Sequence, residues 1–445
     1  MILRPLRATL ALGAALGGRP ALADGGAAPA DAPPASEARR PAADWLAVGG
    51  SVKSITAAAF PRANALPLAG PGVDPSAPSG QATVIARLAV EARPLPPVRI
   101  EVHPLLVALA PGAAGGGALL VQTGLGAPEL VPLSVDPVSA PGLRAQLRLD
   151  RAVLRAAWPG VQLAVGRQAL SFGRGLFFTP LDLVNPFLPT VVDQEFKPGV
   201  DAARVDVFAG TSGQLTAAVA YGGPGWDDAV GAVQAAGTLG VWDLGLMGAV
   251  VHEDLVAGAF THGSVGAVGL HAEGAFTRPP AGSGQAPFAR VAVGADARPH
   301  GDLTLSGELY VQTLGADAPQ GYLATALDPR VARGELWLLG RWYAAGAAAW
   351  QAAPTVNAAL AAVVNLQDPS ALLGPSLAWS VADDAELVAG AWAGLGAPPG
   401  RVTAADLAFN PFDPAGLEGM LRRLPVRSEM GLLPTTAFLQ LRAFF

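Results

Sequence analysis

The eleven residues Thr435-Thr436-Ala437-Phe438-Leu439-Gln440-Leu441-Arg442-Ala443-Phe444-Phe445 alternate in character. Counting back from Phe445 by twos gives Ala443, Leu441, Leu439 and Ala437, whereas Arg442, Gln440 and Thr436 fall between them. A β-strand turns successive side chains to opposite faces, so this segment has one apolar and one polar face. Apolar outside and polar inside is the pattern of a strand in a membrane-spanning barrel.

The same period recurs upstream. Leu303, Leu305, Gly307, Leu309 and Val311 alternate with Asp302, Thr304, Ser306, Glu308, Tyr310 and Gln312, the clearest strand signal in the chain. Before it, Ala289, Val291, Val293, Ala295 and Ala297 alternate with Arg290, Ala292, Gly294, Asp296 and Arg298, and Pro299-His300-Gly301 reads as the hairpin between the two. Val84, Ala86, Leu88 and Val90 oppose Arg87 and Glu91, and Val98, Ile100 and Val102 oppose Arg99, Glu101 and His103. Leu143, Ala145, Leu147 and Leu149 oppose Arg144, Gln146, Arg148 and Asp150, and the phase then slips at Asp150-Arg151. The slip predicts a β-bulge, or a strand leaving the lipid zone.

Connection lengths give the topology. Long connections near 58–80, 110–141, 173–199, 315–332 and 397–433 alternate with tight ones at Pro94 to Pro97, Trp158-Pro159-Gly160, Gly210 to Ser212, Pro299 to Gly301 and Ala382 to Asp384. Long connections on one rim and short ones on the other are the barrel rule. Keeping that parity brings in two weak segments, Ala229 to Gly237 and Asp254 to His262. The reading is an all-β transmembrane antiparallel barrel of about 18 strands, or 16 without those two segments. The uncharged run Trp342 to Gln367 could be taken for a spanning helix, but Gln351 to Pro354 divides it into two strand-length halves.

Composition agrees. Apolar content is 51% with only 14% charged residues, as expected when one residue in two faces lipid. The absence of cysteine excludes disulfides, thiolate metal sites and cysteine nucleophiles. The formal charge of −6, which becomes −9 without Arg4, Arg7 and Arg19, gives no basic footprint for nucleic acid. No histidine spacing suits a metal site, and no catalytic constellation or cofactor motif is found; His252-Glu253-Asp254 reads as a solvated turn, and His271 with Glu273 supplies too few ligands.

The chain opens with a basic region carrying Arg4 and Arg7, an apolar run from Ala8 to Gly18, and Ala21-Leu22-Ala23. That pattern predicts a signal peptide over 1–23, too short in its apolar part to span a bilayer. Residues 24–44, rich in Ala, Pro and charge, are expected to be a flexible periplasmic lead-in. The barrel would then occupy 45–445.

Gly166-Arg167-Gln168-Ala169-Leu170-Ser171-Phe172-Gly173-Arg174-Gly175 continues through Phe177-Phe178-Thr179-Pro180-Leu181-Asp182-Leu183-Val184-Asn185-Pro186-Phe187. This block of about 22 residues resembles one found in porin-like outer-membrane barrels of Gram-negative bacteria, a strand ending G-R-Q-x-L-S-[WF]-G followed by P-x-D-x-x-N-P. The terminal Phe445, with Leu441 and Leu439, resembles the assembly signal of such barrels, although Ala443 stands where an aromatic is usual. The resemblance implies an outer-membrane channel for small solutes, inserted by the barrel assembly machinery and in contact with outer-membrane lipid and lipopolysaccharide.

From the residues themselves, Thr179 can cap a short helix with Pro180 at its first position and Asp182 near its positive end. Proline and phenylalanine stiffen the loop 173–198 and favour its folding into the lumen. Arg167, Arg174, Asp182, Arg144, Arg148 and Glu195 are the candidates for lining a constriction. Arg167 and Arg174 could instead pair with Asp182, Asp193 or Glu195 and pin the loop, since an unpaired arginine in a low-dielectric lumen is costly. A diffusion channel and a plugged, salt-bridged barrel with a structural or surface-binding role both fit.

Overall fold

The computed structural model describes residues 40–43, 45–66, 76–111, 128–184, 186, 191–408 and 414–445. The expected leader over 1–23 lies outside them, as does most of the expected lead-in. Within that lead-in, Arg40–Ala43 pairs as a short strand with residues 46–48.

Eighteen strands form one closed antiparallel ring, beginning with Leu46–Phe60 and ending with Thr435–Phe444. The last strand pairs both with Ala385–Leu395 and with the first. Closure therefore leaves the ring itself no free edge, which hydrocarbon demands because it offers backbone groups no hydrogen bonds. Both weak segments are strands, Val230–Leu239 and Asp254–Val265. Residues 342–365 form two strands, Trp342–Ala353 and Val356–Asn365, around a turn at Pro354-Thr355. No described helix is long and apolar enough to cross a membrane.

The expected alternation is present. Leu439 and Leu441 are exposed on the outer wall, whereas Thr436, Gln440 and Arg442 are buried on the lumen side, together with Phe438. Eight tight connections mark one rim. An aromatic belt lies outside that rim: Trp45, Trp158, Phe208, Trp350, Trp379 and Phe445 are all exposed. Phe60, Phe276 and Trp342 are exposed near the other. Two such girdles are what a barrel places at the two membrane interfaces.

The phase slip is a bulge. His103 stands opposite Arg151 and Pro104 opposite Leu149, so Asp150 is the extra residue in Leu143–Trp158. The bulge turns both Asp150 and Arg151 inward, where both are buried.

Two tight turns break the loop-length parity at the long-loop rim. His252 and Glu253 hold φ of +48° and +70° in a two-residue hairpin, the geometry of a type I′ turn, and Leu366 to Pro369 makes another short connection.

Phe445 completes the seam between first and last strands. Its N–H donates to the Gly50 carbonyl at 3.0 Å, and Gly50 N–H donates back at 2.9 Å. The ring lies over Gly50, where an added Cβ would come within 2.5 Å of both the ring and the Arg87 carbonyl oxygen. Gly50→Ala should therefore lower the temperature at which folded barrel converts to unfolded chain on an unboiled gel, by on the order of 5 °C. Gly80→Ala, whose Cβ would stand 3.8 Å from its nearest neighbour, should leave that temperature unchanged.

Candidate functional site: a loop folded into the lumen

The chain leaves the wall after Val161–Gln168 and returns to it at Val200–Ala209. Between them the described residues cross the lumen. Leu170, Phe172, Leu181, Leu183 and Val184 pack against Val230, Met247, Val256, Phe260 and neighbouring wall residues. Phe178 reaches a different arc of wall and stacks on Tyr310 with ring centroids 4.5 Å apart. Val192 packs on a third, made of Ala57, Ala378, Val388 and Phe438.

Two wall carboxylates hold the loop by its own peptide groups. Glu273 accepts the N–H groups of Arg174, Gly175 and Leu181 at 2.6, 3.2 and 2.5 Å. Glu308 accepts those of Leu176, Phe177 and Phe178 at 2.5, 3.0 and 2.8 Å, and its Oε1 lies 2.7 Å from His271 Nε2. The bend between the two carboxylates depends on Gly175, where a Cβ would sit 1.9 Å from the Phe178 carbonyl oxygen.

The expected short helix is absent. Thr179 instead opens a single turn, with Asp182 N–H donating to the Thr179 carbonyl at 3.0 Å. Tertiary partners outweigh the local cap, because Glu273 takes the Leu181 N–H and Lys197 Nζ donates to both Asp182 oxygens at 2.6 and 2.7 Å. Burial raises the Asp182 carboxyl above its ordinary range, against the pull of Lys197.

Lysine is rare in this chain, which has only Lys53 and Lys197. Both hold the loop. Lys53, on the first strand, reaches Asp193 at 2.8 Å and Glu195 at 2.5 Å.

The structure separates the six constriction candidates. Arg167 is 1% exposed. It donates to Asp201 through Nε and one terminal nitrogen, each at 2.9 Å, to Glu129 at 3.0 Å, and to the carbonyls of Leu149 and Val131 at 3.2 and 2.9 Å. All five guanidinium N–H groups are thereby engaged, so Arg167 fastens residues 129–131 to the wall and is buried away from any passage. Neither carboxylate is among the partners expected for it. Arg148 is buried 3.7 Å from Glu129, and Asp182 and Glu195 are buried in the lysine pairs just described. These three correct the same expectation, because charges buried in a low-dielectric lumen require partners and cannot also face the passage. Arg144 is exposed and stands opposite Ser139 of the added strand Ser134–Ala140.

Arg174 is the exception. It is exposed, its guanidinium stacks 4.5 Å from the Phe260 ring centroid, and among the described residues it has no carboxylate within ion-pair distance. Lys53, Lys197, Asp201 and Glu308 escaped the sequence reading as anchors. The rarity of lysine was the one signal available for two of them.

Described parts of two further long connections are also tied to the wall. Arg330 holds 312–342 to the wall through Asp254, at 2.7 and 2.8 Å, so His252, Glu253 and Asp254 form no common site. Tyr322 packs among Met420, Leu421, Leu424 and Val426 of the last long connection. Glu429 ties both connections to the wall, accepting from Leu339 N–H at 2.7 Å, from Asn365 Nδ2 at 2.6 Å and from the Tyr343 hydroxyl. Burial, reinforced by Asp368 and opposed by those hydrogen bonds, pushes the Glu429 carboxyl up to about 7.

No family model matches the chain, and no curated protein matches it. Solved structures do. A BenF-like porin from Pseudomonas fluorescens Pf-5 superposes with a TM-score of 0.53 at 10% identity, covering 90% of this chain and 98% of that one. OccD3 (OpdP) of Pseudomonas aeruginosa gives 0.51 at 9% identity, over 89% and 91%. OccAB4 of Acinetobacter baumannii gives 0.50 at 7% identity, over 89% and 98%. The likeness is one of fold.

Arg167→Ala should cost about 3–5 kcal/mol, since it strands Asp201 without its cation and leaves Glu129 only the more distant Arg148. Arg167→Lys should rescue little of it, because an ammonium cannot reproduce the planar fork. Urea unfolding in detergent checks both, with Arg174→Ala expected to stay within about 0.5 kcal/mol of the parent.

Glu429 sets a pH dependence. A carboxyl raised on folding binds more protons in the folded state, so its contribution is full below its ordinary range and is lost as pH rises through about 7. Hydrogen exchange over Pro414–Arg423 and 429–432, corrected for intrinsic rates, should show stronger protection at pH 5 than at pH 8. Glu429→Gln should flatten the difference.

Proposed function

We propose that this protein is an outer-membrane channel of the porin type, exported through its leader, that admits small hydrophilic solutes past the loop 173–198. The observation that carries the reading is the crossing of the lumen by that loop, anchored to Glu273 and Glu308 on one arc of wall and to Lys53 on another. A barrel that served only as a membrane anchor has no need of an ordered, cross-braced internal loop. The fold similarity to solved porins supports the same reading.

The polar groups along such a passage decide what crosses it. With Arg167, Arg148, Lys53 and Lys197 committed to carboxylates, Arg174 is the loop's available cation. Its place over Phe260 holds the charge without neutralising it.

The second reading, a plugged barrel with a structural or surface-binding role, rests on the number of interior charges that are buried in pairs, such as Arg87 with Asp150 and Arg442 with Glu386. Planar-bilayer recording separates the two. A channel gives discrete current steps, shortening the loop between Gly175 and Lys197 increases them, and Arg174→Glu shifts the reversal potential toward cation preference. An absence of current from both the parent and the shortened protein would leave the plugged barrel as the function.

A further inference from the structure

The lumen side of the barrel seam contains a conflict of charge. Leu46–Phe60 and Thr435–Phe444 pair from Ser51 opposite Phe444 to Phe60 opposite Thr435, and this register sets Lys53 directly opposite Arg442. Lys53 is 2% exposed and Arg442 3%. Like charges directly opposite one another destabilise a strand pair, and burial prevents water from screening them.

On the wall, Glu386 stands opposite Arg442 on its other side and lies 3.2 Å from it. Further counter-charges come from the loop. Asp193 bonds to Lys53 through both carboxylate oxygens at 2.8 and 3.0 Å, and Glu195 lies 2.5 Å from the same ammonium. Phe196 follows, its ring 5.4 Å from Lys53 Nζ and 4.1 Å from the Arg87 guanidinium carbon on the next strand. Burial alone would raise the Asp193 carboxyl; Lys53, aided by Arg442, more than offsets it and holds that group below its ordinary value.

We propose that the acidic turn Asp193-Gln194-Glu195 is an internal latch for barrel closure, supplying the negative charge without which the first and last strands set two buried cations against each other. The loop starts four strands round the ring from the seam, at Val161–Gln168. Closure and insertion of the loop are thus coupled: the seam is stable only when the turn has reached it. The latch is independent of what crosses the lumen, and a gel that reads folding reports on it whether or not the protein conducts.

The test is charge removal and rescue, followed by the shift between folded and unfolded bands on unboiled gels over a temperature series. D193N/E195Q should lower the conversion temperature by on the order of 10 °C, or prevent assembly. Adding K53M, which removes one of the opposed cations, should restore most of the loss, whereas adding K197M should restore none. An unchanged conversion temperature in D193N/E195Q overturns the proposal. So does a loss that K53M fails to recover, since the turn would then serve the loop's own fold and not the seam.

Discussion

Hydrocarbon offers a peptide group no partner, and that constraint governs the molecule from its outline to its interior. It requires the sheet to close, and closure lets the strands alternate between two unlike environments. Most ionisable side chains of the spans are then turned into the lumen walled by protein. Arg87, Glu91, Glu101, Arg148, Asp150, Asp206, Glu273, Arg290, Glu308 and Arg442 all lie buried there. The loop that crosses this space brings peptide groups and charges that are both in need of partners.

The anchoring of the loop follows from that shared need. A buried carboxylate without hydrogen bonds is expensive, and so is a buried N–H group. Glu273 and Glu308 meet six loop N–H groups between them, so one set of contacts meets both demands without a cation. Where cations are used, the two lysines are placed for a compact charge: Lys53 meets two separate carboxylates and Lys197 meets both oxygens of one. Arg167 has the complementary task, since a planar fork with five donors suits the Asp201 carboxylate and Leu149 carbonyl in the wall and the Glu129 carboxylate and Val131 carbonyl of the connection packed against it.

The ring was legible in the sequence because its constraint is periodic. The phase slip at Asp150-Arg151, the terminal strand and even the weak segments at 230–239 and 254–265 follow from alternation and loop parity, with no knowledge of partners. The inside of the ring is different. Asp193 meets Lys53 across 140 positions of sequence and Leu176 meets Glu308 across 132, and contacts across a lumen leave no local pattern. Thr179-Pro180 shows the cost of reading locally. Its cap chemistry was sound, but Glu273 and Lys197 competed for the same residues and a turn resulted.

A lumen whose charges are nearly all committed behaves unlike an aqueous pore with a loosely charged lining. Paired groups contribute little net field, and the loop is held by six backbone hydrogen bonds to Glu273 and Glu308. In the channel proposed above, discrimination would fall to the few polar groups left over, and their number is small because each further unpaired charge carries a desolvation cost. Arg174 is tolerable as such a group for a specific reason: the face of Phe260, 4.5 Å away, stabilises the guanidinium, which among the described residues has no carboxylate within ion-pair distance. A stacked arginine on a braced loop is a geometrically fixed charge, so under the proposed channel function its interaction with a solute would vary more with the solute's shape than a mobile lysine's would.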